Sequence, residues 1–493
     1  MVKPERRTRG DIIAAVAIAV VIAVVAGVVW WTSDARATES RPAASPVPAL
    51  EPATAVPDSL TRRWEAASDA TSRPIVVGGA VVTGDGQAVQ GRDPATGETL
   101  WSYARDLPLC GVTWVYNYAV AVYPDGRGCG QVSTIDAKTG TRGPARSSYA
   151  DDHVTLSADG TTVLSAGDTR LEMWRSDMVR MLSYGALDAP IKPGVPASPL
   201  CRFVSAAASS AAVSVLESCA NQSDLRLTLL RPSDEEDTPE VKYVQQKGVS
   251  DGTGARVVAV ADTLTAVYVP TPKPRVDIVD ETGAVTDSTV VSGPPVDDAI
   301  TTRSGDLITW WTGDSVMVFS ANDLQYKYTV QAVGPNAPVG PATTMAGKLL
   351  VPVSSGYDVF DAATGAGEKH IPLQRPPAAG PVVPGVAGST VLERKRTLTS
   401  TGTSVKLRWR TCAASARWAR SRLETGAGAA AAARCGCRPL KGRHTDMGNG
   451  TSPIRSSISI TTMTSAGPAT WANWGLYSTP VTSGSMATIA ARE

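Results

Sequence analysis

Seven cysteines and three histidines carry most of the chemical reach of this 493-residue chain. Cys110, Cys129, Cys201 and Cys219 form an even set, with separations of 19 and 18 residues. Pairing of neighbours, 110 with 129 and 201 with 219, is one of three possible connectivities. Four free core thiols is the other state such residues adopt. Disulfides persist outside the cytosol, and each local pair would close a short loop worth about 3 kcal/mol in the chain-entropy model. No histidine or close cysteine pair accompanies the four, which argues against metal. Cys412, Cys435, Cys437 and His444 cluster later, at spacings that match no zinc pattern. His153 and His370 are the only histidines before residue 394 and suggest no catalytic dyad. The string GVSDG (248–252) spells a nucleophile elbow, but an elbow needs a strand before it and a helix after it. Here ARVVAVAD follows, which reads as a strand. The acidic run SDEEDTPE (233–240) lacks the ligand order and the glycine of a calcium loop. No Gly-rich phosphate loop joins a strand to a helix. Trp310 and Trp311 are adjacent, so they point to opposite faces of a strand; one should pack between sheets, and the other is a candidate exposed aromatic. No catalytic, cofactor-binding or metal residue is assigned, and no cofactor is expected.

The elements that would position these groups come from a repeat. YDVFDAATGAGEKHI (357–371) alternates, turns through Asp-x-x-Thr-Gly, and alternates again. Nearly the same string occurs in GRDPATGETLWSY and STIDAKTGTRG. An Asp side chain at a turn accepts hydrogen bonds from backbone N–H groups just after it, and Gly supplies the positive φ of a bulged hairpin. The turn residues are Asp93 and Gly97, Asp136 and Gly140, Asp280 and Gly283, and Asp361 and Gly365. With Arg175, Arg231 and Ser320 at the equivalent places, the marker recurs at steps of 43, 39, 56, 49, 40 and 41 residues. Four short strands fit each step. That period, with Gly or Asp at each corner, describes a β-propeller blade. PVVPGVAGSTVLER (381–394) supplies two strands of a further blade. DSLTRRWEAAS (58–68) resembles the outermost strand ending the first unit, with Trp64 matching Trp101. Strands from both chain ends would then share one blade and close the ring. The fold class is therefore all-β, a β-propeller of eight blades, or seven if one weak unit is misread. In this frame Cys110 and Cys201 each open a first strand, and Cys129 and Cys219 lie at the same end of their sheets.

The pattern Asp-Ala-x-Thr-Gly-x-x-x-Trp resembles the repeat of PQQ-like (quinoprotein dehydrogenase-like) β-propellers, and the chain looks most similar to membrane-anchored envelope proteins of high-GC bacteria with that repeat. The resemblance covers residues 60–393 and is clearest at 93–101, 136–140 and 361–365. It implies a scaffold rather than an activity. Family enzymes that use the quinone carry adjacent cysteines and acidic calcium ligands. This sequence has no adjacent cysteine pair, so quinone catalysis is not implied.

The chain ends set the location. Lys3, Arg6, Arg7 and Arg9 precede IIAAVAIAVVIAVVAGVVWW (12–31), twenty uncharged residues that suffice to cross the hydrocarbon. Positive charge stays cytoplasmic, so the bulk should lie outside the cell membrane. A cleaved signal peptide would have a shorter apolar run. Residues 1–11 thus read as a cytoplasmic basic segment and 12–31 as a transmembrane helix. Residues 32–59, rich in Pro and Ala, read as an extended linker, residues 60–393 as the propeller, and residues 394–493 as a basic and polar tail. Net charge is +1 overall. The first 393 residues hold 32 Lys+Arg against 43 Asp+Glu, and the last hundred hold 15 against 3. An acidic body excludes a nucleic-acid face. In the tail, Arg-, Ala- and Gly-rich text replaces alternation, as a wrong reading frame of a GC-rich gene would produce. A disordered basic tail and a small folded domain are the other readings. The expected function is a non-catalytic, extracytoplasmic binding or scaffold module of the cell envelope, with envelope proteins or cell-wall polymer as partners. The alternatives are a PQQ-like dehydrogenase with a degenerate site and a cell-wall glycan sensor.

Overall fold

The computed structural model describes residues 8–33, 36–186, 201–234, 239–331, 336–375, 380–397 and 457–464. They form eight antiparallel sheets, seven of four strands and one of five. Blades 1 to 7 follow the chain, with innermost strands at Ile75–Val77, Gly111–Val115, Thr155–Ala158, Cys201–Ala208, Arg256–Ala261, Ile300–Ser304 and Thr343–Met345. All seven repeat markers stand at the end of a third strand or one residue beyond it, from Asp93 after Ala88–Arg92 to Asp361 at the end of Gly356–Asp361.

The eighth blade joins both chain ends, in the order Thr61–Ala67, Ser457–Thr464, Thr390–Thr397, Val383–Ala387. Its outermost strand is the Trp64 segment, as the repeat predicts. Its third strand comes from Ser457–Thr464, pairing Val391 with Met463 on one side and Thr61 with Thr464 on the other. The tail boundary drawn at residue 393 therefore cuts through a blade. The alternation of SISITTMT was hidden by the sixty residues that separate it from its partner strand.

Each blade is too thin to bury its own faces, so the core lies between blades. Among the described residues there is one apolar cluster at each of the eight interfaces, from Val82, Tyr103 and Ile135 between blades 1 and 2 to Val81 and Leu392 between blades 8 and 1. Middle strands are buried on both faces, as in Leu307–Trp311, while outer strands such as Val285–Val290 are mostly exposed. This explains why LEMW, LTLL and VMVF persist where the Asp of the turn is lost. It also corrects the expectation for Trp310 and Trp311. Both are buried, one packed toward blade 5 and one toward blade 7, because a middle strand faces a neighbouring blade on each side.

One helix, Arg9–Thr32, precedes the ring, capped at Thr8 by a reciprocal bond with Asp11. It is long and apolar enough to cross a bilayer, and none of it is buried against the propeller. The 32–59 segment is not a free spacer along its whole length. Strand Glu39–Arg41 adds a fifth strand to blade 1 against Thr99–Ala104. The chain then donates from Ala43 N to Thr139 O and from Val47 N to Lys138 O. Val47 is buried, and Lys369 of blade 7 bonds Val56 O and Asp58. Proline leaves such a segment few backbone donors; those of Ala43 and Val47 strap it to blade 2, while its Val56 carbonyl and Asp58 carboxylate accept from Lys369 of blade 7.

Candidate binding site in the central channel

The innermost strands line a central channel, and their small residues leave it open. A cavity of about 650 Å³ lies between blades 3 to 6, bordered by Ala206, Ala208, Ala255 and Val257. A second, of about 220 Å³, is formed by blades 1, 2, 6, 7 and 8. Three arginines reach this space. Arg73, just before the first strand of blade 1, crosses to blade 3 and donates from Nη2 to Ala158 O at 2.7 Å. Arg256, opening blade 5, donates to Gly254 O at 3.1 Å and to Asp297 O at 3.3 Å. Arg303, on the innermost strand of blade 6, borders both cavities and is exposed. Burial holds the Arg73 guanidinium below its ordinary value. Burial also lowers Arg256, with Asp297, Tyr268 and Asp298 offsetting part of it.

The predicted turn residues lie elsewhere, at the blade interfaces. Asp93 Oδ1 accepts from Ala95 N, Thr96 N and Thr96 Oγ1 at 2.9, 2.8 and 3.1 Å. Asp136 and Asp361 repeat this arrangement with Thr139 and Thr364. Asp280, in a turn one residue shorter, accepts from Thr282 and Ala284. The bonds from Thr364 and Thr282 hold Asp361 and Asp280 below the usual carboxylate range. Each turn receives the outer strand of the preceding blade. Trp64 Nε1 donates to Pro94 O at 3.0 Å, Trp101 Nε1 to Ala137 O at 2.8 Å, and Tyr328 OH to Ala362 O at 2.8 Å. The acceptor is in every case the carbonyl one residue after the Asp. Gly97, Gly140 and Gly365 all have positive φ, and a Cβ on any of them would overlap Trp64, Trp101 or Tyr328. Gly283 faces Val244 in the same way. The motif is thus a socket: Asp shapes the turn, and Gly leaves room for the neighbour's ring. Sequence reading found both tryptophans and missed Tyr328, which substitutes at the same place without the Trp signature.

The buried carboxylates Glu172, Glu217 and Glu393 knot the sheets. Glu172 receives Arg170 at 2.6 Å, Arg180 at 3.3 Å, Arg146 of blade 2 at 3.3 Å and Trp174 Nε1 at 2.9 Å. Burial pushes its carboxyl up, but the charges of Arg146 and Arg170 and the bonds from Trp174 and Arg170 outweigh it and leave it below the usual range. Glu217 pairs with Arg226 at 2.7 Å and Thr228 at 2.8 Å. Glu393 in blade 8 pairs with Arg375 and accepts from Tyr357 OH of blade 7 at 2.7 Å. Arg170 and Trp174 flank Glu172 on its own strand, but the other partners, Arg146, Arg180, Arg226, Arg375 and Tyr357, reach their carboxylates from other strands, blades or loops, which no spacing signals.

Both cysteine pairs are local disulfides, Cys110–Cys129 and Cys201–Cys219. A grouping of Cys201, Cys219 and Glu217 is consequently no metal site, since both thiols are used. The GVSDG string is a loop leading into strand Arg256–Ala261. His153 is exposed ahead of blade 3, and His370 Nδ1 lies 2.6 Å from Asp358 on blade 7. Cys412, Cys435, Cys437 and His444 lie outside the described residues, as do 235–238 of the acidic run.

These features define an eight-bladed β-propeller preceded by one apolar helix long enough to span a membrane. No protein-family model and no curated protein matches the chain. Similar solved structures include BamB from Moraxella catarrhalis, with 14% identity and a TM-score of 0.39 over 68% of this chain and 94% of that one. The C-terminal WD40 domain of Sif2 gives 12% and 0.43 over 69% and 96%. The dihydro-heme d1 dehydrogenase NirN gives 14% and 0.41 over 71% and 76%.

Proposed function

We propose that the protein is a membrane-tethered, extracytoplasmic binding module of the cell envelope, built on a PQQ-like propeller scaffold and without catalysis of its own. The carrying observation is the join between helix and ring. Six residues separate Thr32, the end of the apolar helix, from Glu39, the first residue strapped to blade 1. At the reach of an extended chain this is roughly 25 Å. A ring held at that distance presents broad loop faces to partners beside a membrane. Two disulfides support an oxidising compartment. The basic residues before the helix support a cytoplasmic N-terminus. The Asp-Ala-x-Thr-Gly turns and their Trp docking support the PQQ-like scaffold. The sequence has no adjacent cysteine pair of the kind that quinone enzymes on this scaffold carry, which supports the non-catalytic reading.

Photo-crosslinkers placed on exposed loop positions such as Tyr116 and Val179, in the intact envelope, test this. Defined protein adducts that depend on the position of the probe are expected. Adducts only to glycan would favour the cell-wall sensor instead. Quinone- and calcium-dependent dye reduction by the purified full chain would overturn the non-catalytic assignment.

A further inference from the structure

We infer that the smaller channel cavity is a binding site for a small oxyanion, a molecule bearing carboxylate or phosphate groups. Its walls come from five blades, so it exists only in the closed ring. Among the described residues two guanidiniums border it, Arg73 and Arg303, and no Asp or Glu does. The larger cavity differs, with Asp159, Asp251 and Asp297 along its wall. Asp159 Oδ1 is occupied by its own turn, accepting from Thr161 and Thr162. Asp251 is paired with Arg202 at 2.7 Å. Neither is the partner of Arg303.

Among the described residues Arg73 has a carbonyl as its side-chain partner and no carboxylate, although burial disfavours its charge. Ala158 O satisfies one of the five guanidinium N–H groups and supplies no counter-charge. The guanidinium of Arg303 makes no hydrogen bond or ion pair among the described residues. Arg73 is desolvated without a counter-charge, and an anion held in the cavity between it and Arg303 would supply one. Hydroxyls make up much of the remaining polar wall; Thr302 spends its proton on Ala342 O, and Ser304, Thr343 and Thr344 form a hydroxyl chain with one proton left to donate. Ser304 Oγ lies 2.8 Å from Thr344 Oγ1 and 3.3 Å from Thr343 Oγ1, at the cavity edge beside Arg303. A fork of N–H donors with supporting hydroxyls is the arrangement that binds carboxylate and phosphate strongly. A volume of about 220 Å³ limits the occupant to a small molecule or to the end group of a larger one.

The site stands apart from the envelope-partner proposal, since a scaffold with or without it would give the same loop crosslinks. The test is calorimetric titration of the full chain in detergent with citrate and, separately, with inorganic phosphate, against chloride at matched ionic strength. One saturable site per chain is expected for one of the two probes. Citrate binding identifies a polycarboxylate ligand and phosphate binding a phosphorylated one. Arg303→Gln should weaken that binding by about tenfold or more, as loss of a charge-assisted contact does. Because Arg303 is exposed and unpaired, this variant should keep the unliganded thermal midpoint, so lost binding is not lost folding. Arg202→Gln, outside the cavity wall, should bind as the unaltered chain does. Absence of saturable binding by both probes up to millimolar concentration overturns the inference. So does binding that Arg303→Gln leaves unchanged, which would place the anion on the surface and reduce Arg73 to a strut across the channel.

Discussion

If the Gly of the repeat turn serves the neighbouring blade rather than its own hairpin, its replacement should have a cost that depends on the neighbour's ring. Gly140 and Gly86 separate the two contributions. Both have positive φ, +72° and +57°. A Cβ at Gly86 meets nothing within 4 Å, whereas at Gly140 it would overlap Trp101 Cβ and Cγ and sit 3.1 Å from Pro42 Cα. Gly86→Ala therefore carries only the left-handed backbone penalty, about 1–2 kcal/mol. Gly140→Ala carries the same penalty plus overpacking of about 1–3 kcal/mol. Trp101 is 1% exposed, and Trp101→Ala alone should cost about 3–5 kcal/mol. With the ring removed the Cγ overlap is gone, while Cβ of residue 101 and the Pro42 contact remain, so Gly140→Ala should fall part of the way towards the cost of Gly86→Ala. The cycle should thus show a coupling energy of about 0.5–2 kcal/mol between positions 101 and 140. Urea unfolding of the full chain in detergent, followed by far-UV circular dichroism so that loss of an indole does not alter the signal, measures all five proteins. Equal costs for Gly86→Ala and Gly140→Ala, or strict additivity with Trp101→Ala, would refute the socket and return the glycine to a purely local role.

The other expectations follow from the knots, the disulfides and the closing blade. Glu172→Gln should cost about 3–5 kcal/mol at neutral pH, because Arg146, Arg170 and Arg180 would be left packed around an uncharged group. The Glu172 carboxyl lies below its ordinary value when folded. Its contribution is thus full above the unfolded carboxylate value and is lost as pH falls through the folded one. Stability of the parent chain should drop in that acidic window more steeply than that of Glu172→Gln, and parallel pH profiles would contradict this. Replacing Cys201 and Cys219 together by Ser should lower stability by about 3 kcal/mol, measured as a shift in the urea midpoint without reductant, so that Cys110–Cys129 stays intact. Truncation after residue 397 removes Ser457–Thr464 and leaves Thr61–Ala67 without its pairing partner. Limited proteolysis should then cut near residues 61–67 while the parent chain resists, and an unchanged digest would show that the third strand is dispensable.

Periodicity made the ring legible because every blade repeats the same local problem. A hairpin needs a turn, and the turn shared by blades 1, 2 and 7 is spelled out by Asp93, Asp136 and Asp361. In other blades the apolar middle strands carried the count when the turn residue changed to Arg175, Arg231 or Ser320. Burial on both faces is a constraint on the strand itself and survives substitution at the corner. The cysteines were legible in position but not in pairing, since three connectivities satisfy an even set and only the fold brings Cys110 to Cys129 and Cys201 to Cys219.

What escaped the sequence is what ring closure alone brings together. Arg73 and Arg303 are 230 positions apart and border one cavity because blades 1 and 6 both face the axis. Arg73 sits in the loop before its strand and Arg303 within one, and neither position is unusual locally, so no local pattern can mark them. The third strand of the closing blade was missed for a related reason. Its partners are Thr61–Ala67 and Thr390–Thr397, one at the other end of the chain and one sixty residues back. A hairpin is recognised by its turn, and this strand reaches neither neighbour through a short one. A closed ring still requires something in that place: the first two strands of blade 8 and the Trp64 strand leave one position between them, and an unpaired pair of sheet edges there would carry uncompensated backbone donors and acceptors. The vacancy itself, counted from the repeat, is the signal that points past residue 393 to a strand farther along the chain.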